Sequence, residues 1–277
     1  MNPRIGPLLT RPVCDTLLEA VRRGASRASC SLDLGLSTVE AGVDVEGWSV
    51  DGRRFPFPET CKERTIYFWL DEARRFEPLS RYSGSLVKLV PTEWGPPTFE
   101  IDGIKMLPTA RVSPFEDAAR KVALVAPRGR IVLDTCGGMG YFANWCLREG
   151  AARVLSFEKN PDVLWLRAHN PWSPEVDARL VLENADVAEA IARLPEASVD
   201  AALHDPPRFG IAGELYSQAF YDQLARVLRH GAPLFHYTGT PNKLTSGRDV
   251  PREVAKRLER AGFRVALHGD GVLARKK

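Results

Sequence analysis

Apolar and polar positions change rhythm twice along this chain. Val13, Leu17, Leu18 and Val21 recur at helical spacing and predict a short amphipathic helix over 10–23. From Ser29 strand-like alternation takes over: residues 30–34 and 39–45 alternate apolar and polar positions, and 48–50 run into an Asp51-Gly52 turn. The aromatic run 64–70, the segments 85–90 and 98–101, and 104–107 beyond an Asp102-Gly103 hairpin turn extend the β-rich stretch. Residues 109–114 read as a linker. Ser113 or Pro114 then starts a helix carrying Ala118, Val122, Ala123 and Val125, and Pro127 ends it. Beyond it, strand patterns at 131–134, 153–158, 179–183, 200–204, 232–237, 263–267 and 271–275 alternate with helical patterns at 139–149, 161–168, 185–194, 214–229 and 251–261. Such alternation predicts an α/β fold with a doubly wound, mostly parallel sheet of seven strands. The last two strands, joined by Gly269-Asp270, pair antiparallel. The expected layout is a β-rich module with a short helix over 1–112 and an α/β domain over 113–277.

Composition narrows this picture only a little. The 277 residues are enough for one large domain or two smaller ones, and a formal net charge of +3 permits nucleic-acid binding without demonstrating it. The five cysteines, Cys14, Cys30, Cys61, Cys136 and Cys146, form no CxxC pair, which argues against a disulfide framework and against a zinc site. The amino-terminal stretch is charged and no segment reaches membrane-spanning length, so a soluble, cytoplasmic protein is expected, with no metal.

The candidate chemistry begins at 131–143. Three apolar β-formers lead to Asp134. Cys136, Gly137, Gly138 and Gly140 follow, and Met139, Phe142, Ala143, Cys146 and Leu147 then recur at helical spacing. Glycines there let backbone approach a ligand closely, and a helix N-terminus presents unpaired N–H groups. Further acids end the next strands: Glu158 the second, Asp186 just past the third, and Asp205-Pro206-Pro207 after the fourth. In an open parallel sheet these acids share the carboxyl edge, where ligands bind. Taken singly, Glu158 reads as a surface acid and Asp186 as a helix N-cap; the joint spacing carries the functional reading. A dinucleotide site also fits Gly138-Met-Gly140-Tyr-Phe-Ala143 with Glu158 downstream. Against it, Asp134 would crowd a pyrophosphate, and hydride transfer gives no reason for Asp205-Pro-Pro.

This order of motifs, over roughly the C-terminal three fifths, resembles the class I S-adenosylmethionine-dependent methyltransferases. The resemblance implies that Asp134, Cys136, Gly137, Gly138 and Gly140 wrap the amino-acid end of S-adenosyl-L-methionine, with Cys136 standing in place of the first family glycine. It implies that Glu158 binds the ribose hydroxyls and Asp186 the adenine amino group, with the backbone of Ala185 or Val187 nearby. Either Phe157 or Lys159 flanks the adenine.

Asp205-Pro206-Pro207-Arg208-Phe209 resembles the Asp/Asn/Ser-Pro-Pro-aromatic motif of enzymes that methylate exocyclic nucleobase amines. Such an amine is a poor nucleophile because its lone pair is delocalised. The Asp205 carboxylate and Pro206 carbonyl can accept its two N–H bonds and aim the lone pair, while Pro207 restricts the backbone. Arg208 occupies the usual aromatic position and Phe209 comes one later, so either one stacks on the base, or Arg208 holds a phosphate. The segments 204–210, 212–217 and 235–239 look like an archaeal group of methyltransferases that includes an enzyme making N4-methylated cytidines in ribosomal RNA. The resemblance thus implies an RNA substrate, a cytosine N4 target, and a base that is unpaired or flipped out. Tyr237 and Lys243, after the fifth strand, are candidate substrate contacts, and the basic stretch 243–260 is a candidate phosphate grip. A rival resemblance exists. Residues 213–221 are similar to the polyamine aminopropyltransferases, which use decarboxylated S-adenosylmethionine. The aromatics Trp48, Tyr67, Phe68 and Trp69 of the front module, and Trp172, are expected in cores.

Overall fold

The structure, a computed structural model, describes residues 6–239 and 249–277. The chain divides into two compact units. One runs to Phe115 and includes Trp165–Ser173; the other comprises Glu116–Leu164 and Pro174–Lys277.

The first unit holds β1 (Leu8–Leu9), α1 (Arg11–Arg22), β2 (Arg27–Cys30), β3 (Val39–Asp44), β4 (Gly47–Val50), β5 (Arg53–Phe55), β6 (Tyr67–Leu70), β7 (Arg75–Pro78), β8 (Ser80–Tyr82), β9 (Leu86–Val90), β10 (Thr98–Ile101) and β11 (Ile104–Lys105). Among the described residues these strands form three antiparallel sheets, ordered β2-β3-β4-β5, β1-β6-β7 and β11-β10-β9-β8. Asp51-Gly52 and Asp102-Gly103 turn two hairpins with positive φ at both positions (48° and 74°; 49° and 78°), as tight hairpin turns require. Trp48 is fully buried and stacks on Phe55 at 4.8 Å, and Tyr67 and Phe76 join the same core. Trp172 also packs in this unit, donating from Nε1 to the Leu34 carbonyl at 3.0 Å.

Two expectations fail in this unit. Cys14 on α1 and Cys61 form a disulfide across 47 residues, with Cα atoms 6.7 Å apart, whereas the scattered spacing argued against a disulfide framework. Spacing along a chain does not report where a helix docks, and here α1 carries Cys14 on its buried face. The expected strand at 30–34 ends at Cys30. Asp33 breaks it by accepting hydrogen bonds from the Ser37 amide and the Ser31 hydroxyl, both at 2.9 Å, which folds the chain into a turn at Leu34.

The second unit begins at α2 (Pro114–Ala123), whose first-turn Glu116 and Asp117 suit a helix N-terminus. Then come β12 (Ile131–Asp134), α3 (Tyr141–Arg148), β13 (Arg153–Phe157), α4 (Pro161–Ala168, of which Trp165 onward groups with the first unit), β14 (Leu180–Glu183), α5 (Val187–Ala190), β15 (Ala201–His204), α6 (Gln218–Val227), β16 (Pro233–Tyr237), α7 (Val250–Arg260), β17 (Phe263–His268) and β18 (Gly271–Lys276). Seven strands make one sheet ordered β14-β13-β12-β15-β16-β18-β17. The first five are parallel, and β18 pairs antiparallel with both β16 and β17. The doubly wound expectation holds.

The expected helix at 214–229 is split. Residues 213–216 form a separate 3-10 turn, because Ser217 is extended (ψ 156°) and caps a new helix by accepting from the Phe220 amide at 3.1 Å. The chain winds outward from β12 to β14 and returns to β15 on the other side of β12. The topological switch point therefore lies between β12 and β15, where an open α/β sheet has its ligand crevice. Among the described residues, no helix is long and apolar enough to cross a membrane.

Candidate active site

Asp134 ends β12 and Asp205 immediately follows β15, so the two acids flank the switch point. Asp134 is buried and accepts from the Ser156 hydroxyl of β13 at 2.9 Å. The following loop is a compact turn. The Gly137 amide donates to the Phe157 carbonyl, and the Gly140 amide to the Gly137 carbonyl, each at 2.7 Å. Gly138 and Gly140 both have positive φ (46° and 76°), which an L side chain resists. Cys136 has no such constraint and packs against the sheet core, so the loop keeps its path without a glycine there. Burial first, then the surrounding carboxylates of Glu158, Asp134 and Asp205, push its thiol pKa well above the ordinary value.

Glu158 follows β13 and closes the loop from the far side. One carboxylate oxygen accepts from the Gly138 amide at 3.0 Å and the other from the Asn160 amide at 2.9 Å. A carboxylate has about four acceptor positions, enough in principle for two amides and a diol together. Asp186 caps α5 by accepting from the Ala188 amide at 2.9 Å, with Val187 buried beside it. Lys159 is exposed and bridges the Asp186 and Glu214 carboxylates at 3.5 and 3.6 Å. The set of a buried acid, a glycine turn, a bidentate acid and a capping acid fits a cationic amino-acid nucleoside. A Cβ at residue 138 or 140 would strain the turn.

The 205–209 segment lies on the other side of the switch point. Pro206 is buried, the Pro207 carbonyl accepts from the Tyr216 hydroxyl at 3.1 Å, and the Arg208 carbonyl accepts from the Ile211 amide at 2.7 Å. Phe209 is half-buried, edge-on to Tyr216 at 5.5 Å, and Arg208 is exposed. Burial raises the pKa of Asp205; Lys121 counters it, and Asp117 and Asp270 reinforce it.

The residue that sequence reading missed is Lys121. It lies on α2 in register with Ala118, Val122 and Val125, so the signal was a lysine within a buried stripe. Only 4% of it is exposed. Its ammonium sits 2.8 Å from Asp117, 3.5 Å from Asp205 and 3.8 Å from the centre of the Tyr237 ring. Burial disfavours its charge, but the Asp205 and Asp117 carboxylates outweigh that and hold its pKa above the ordinary value. Tyr237 thus serves Lys121 on one ring face, while Gly239 crowds the ring: a Cβ there would meet it at 3.1 Å. Lys243 lies outside the described residues, as does the start of the basic stretch.

Two buried histidines brace this edge. His204 Nδ1 is 2.7 Å from the Thr135 hydroxyl and its Nε2 is 3.0 Å from the Leu215 carbonyl. His236 Nε2 is 2.9 Å from the Tyr221 hydroxyl and its Nδ1 is 2.8 Å from the Tyr237 carbonyl. Each ring faces one carbonyl, which needs an N–H, and one hydroxyl, which can donate. The neutral form satisfies both. Burial lowers the His204 pKa from 6.5 to about 4 and takes His236 well below its usual value. The unfolded chain then binds these protons first. Stability is full above about pH 6.5 and falls as pH drops toward 4, by on the order of 3 kcal/mol for His204 alone. Asp205, with its raised pKa, opposes this at the acid end of the window. We expect the urea midpoint to drop clearly between pH 7 and pH 5, and the drop to shrink in His204→Gln; a flat profile contradicts the neutral pair.

No protein-family model matches the chain. It is 45% identical over 180 residues to the uncharacterized protein MJ1233 of Methanocaldococcus jannaschii. That alignment covers 64% of this chain and 61% of the relative, so the chain spans about three fifths of the length of the curated relative it matches. Among solved structures it is similar to a spermidine synthase in complex with the transition-state analogue AdoDATO. That match has a TM-score of 0.60 and 18% identity, over 72% of this chain and 73% of the other. The spermidine synthase of Thermotoga maritima matches at TM-score 0.56 and 16% identity over 72% of each chain. An S-adenosylmethionine-dependent methyltransferase from Mesorhizobium loti matches at TM-score 0.42 and 17% identity, over 58% of this chain and 100% of the other. The fold is Rossmann-like, as in the solved spermidine synthases. At these identities the likeness concerns fold alone.

Proposed function

We propose that this protein is an S-adenosylmethionine-dependent methyltransferase acting on an exocyclic nucleobase amine, cytosine N4 of ribosomal RNA. One observation carries the reading: Asp205 and its two prolines stand across the sheet switch point from Asp134 and the glycine turn. In this reading Asp134, Cys136, Gly137, Gly138 and Gly140 hold the amino-acid end of the cofactor, Glu158 its ribose, and Asp186, Val187 and Lys159 its adenine. When bound, S-adenosylmethionine supplies an electrophilic methyl group on a sulfonium sulfur.

The Asp205 carboxylate and the Pro206 carbonyl accept the two N–H bonds of the target amine and turn its lone pair toward that methyl. Asp205 would then take the proton that the amine sheds as it gains the methyl group. Pro207, pinned by Tyr216, fixes the clamp. Arg208, exposed beside it, suits a phosphate or the open face of the base, and Phe209 backs the segment. Tyr237 and Lys243 remain proposed substrate contacts.

A second reading, aminopropyl transfer to a polyamine, is favoured by the solved spermidine synthases and by three carboxylates, Asp117, Asp205 and Asp270, around one spot. The Lys121 ammonium already occupies that spot, and like charge disfavours a polycation beside it but not a neutral nucleobase. Incubation with labelled cofactor, or its decarboxylated form, and ribosomal RNA, transfer RNA or polyamines, followed by mass identification, decides. N4-methylcytidine in digested ribosomal RNA supports the proposal; product only in the polyamine fraction overturns it.

A further inference from the structure

The catalytic reading assigns Lys121 no role, yet it is the most buried lysine in contact with the proposed machinery. Lys121 is held from three directions: by Asp117 one turn earlier on α2, by Asp205 after β15, and by the Tyr237 ring ending β16. The Phe142 ring of α3 lies 5.7 Å away. A lysine on a surface would not need such a cage. Asp117 is itself only 17% exposed, so the pair is largely shielded from water, and α2 carries it to Asp205.

Asp205 needs its charge if it is to accept an amine N–H and then a proton. Its surroundings work against that charge: it is mostly buried, and the carboxylates of Asp117 and Asp270 and the Tyr237 hydroxyl face the same space, with the Cys136 thiol close enough to feel it. Among the described residues, Lys121 is the cation that pairs with Asp205. We infer that Lys121 is a positioning residue which keeps Asp205 ionised and oriented, and that Asp117 sets how much of the lysine's charge Asp205 receives. The inference rests on the methyltransferase reading only for its kinetic readout. The lysine's 2.8 Å contact to Asp117 and longer 3.5 Å contact to Asp205 give the arrangement a direction. Asp117 anchors the ammonium, which in turn holds Asp205 by the longer contact. The same cation also screens out an ammonium substrate, so the site selects amines that are neutral at working pH.

Opposite shifts make this testable. An opposite charge within about 4–6 Å typically lowers a carboxyl pKa by about 1–3 units. Lys121→Met should therefore move the acid limb of the kcat–pH profile upward by about that amount. Asp117→Asn removes a carboxylate that raises Asp205 and frees the lysine for it, so it should move the limb downward. Lys121→Arg should keep the wild-type limb. Cofactor affinity, measured by calorimetry in each variant, should stay within about threefold. Should Lys121→Met not fold, the downward shift in Asp117→Asn stands as the test. In parallel, 13C NMR of the Asp205 carboxyl in the free protein, assigned by its loss in Asp205→Asn, reads the same shifts without catalysis. Both shifts in NMR support the role of Lys121 even where no amine substrate is methylated, which would refute the methyltransferase reading alone. Folded variants whose Asp205 titration matches wild type overturn the role.

Discussion

Asp205→Ala is expected to lower the rate of methyl transfer by about 10²- to 10⁴-fold while leaving cofactor affinity nearly unchanged. The clamp loses both an acceptor for the amine N–H and the base for its proton. The cofactor half, by contrast, is built on β12, β13 and the glycine turn, with Asp134 held by Ser156 and Glu158 by two backbone amides. Asp205→Asn sharpens the test. It keeps an acceptor oxygen but cannot take a proton, so binding of the base should survive better than turnover. Single-turnover transfer at saturating cofactor, beside calorimetry, separates the two effects. Full turnover in Asp205→Ala would overturn the assignment.

The complementary result is expected at Glu158. Glu158→Ala should weaken cofactor binding by at least about 100-fold, because hydrogen bonds to a charged group contribute about 1.5–3 kcal/mol each and two ribose hydroxyls are lost together. The variant also releases the Gly138 and Asn160 amides, loosening the turn that the carboxylate closes. Glu158→Gln keeps one acceptor and should fall between. In either variant saturating cofactor should restore most of the turnover, a KM effect rather than a kcat effect. Calorimetry with S-adenosylhomocysteine measures the affinities; wild-type affinity in Glu158→Ala would remove the ribose role.

The second unit was largely legible because its strands are short apolar runs closed by acids, and acids at strand tips mark the ligand edge wherever the sheet is parallel. Asp134, Glu158 and Asp205 could be set on that edge from order alone. Legibility failed where tertiary contacts decide. Cys14 and Cys61 look unrelated until α1 docks. Residues 165–168 complete α4, yet with 169–173 they group with the first unit, where Trp165 and His169 pack on Phe68. Lys121 looks like half of an i,i+4 surface pair with Asp117. Its burial follows from the stripe it shares with Val122 and Val125, a clue outweighed by its charge. The split of the 214–229 helix hinged on a serine that caps as readily as it continues a helix.

The most direct measurement of the central claim is a crystal structure with S-adenosylhomocysteine and a cytidine nucleotide. We expect the ribose diol on Glu158, the sulfur facing the Asp205–Pro206 clamp, and the exocyclic nitrogen about 3–3.5 Å from where the methyl would sit. A nucleoside bound away from the Gly138 turn, or an Asp205 carboxylate directed away from the sulfur, would contradict the account.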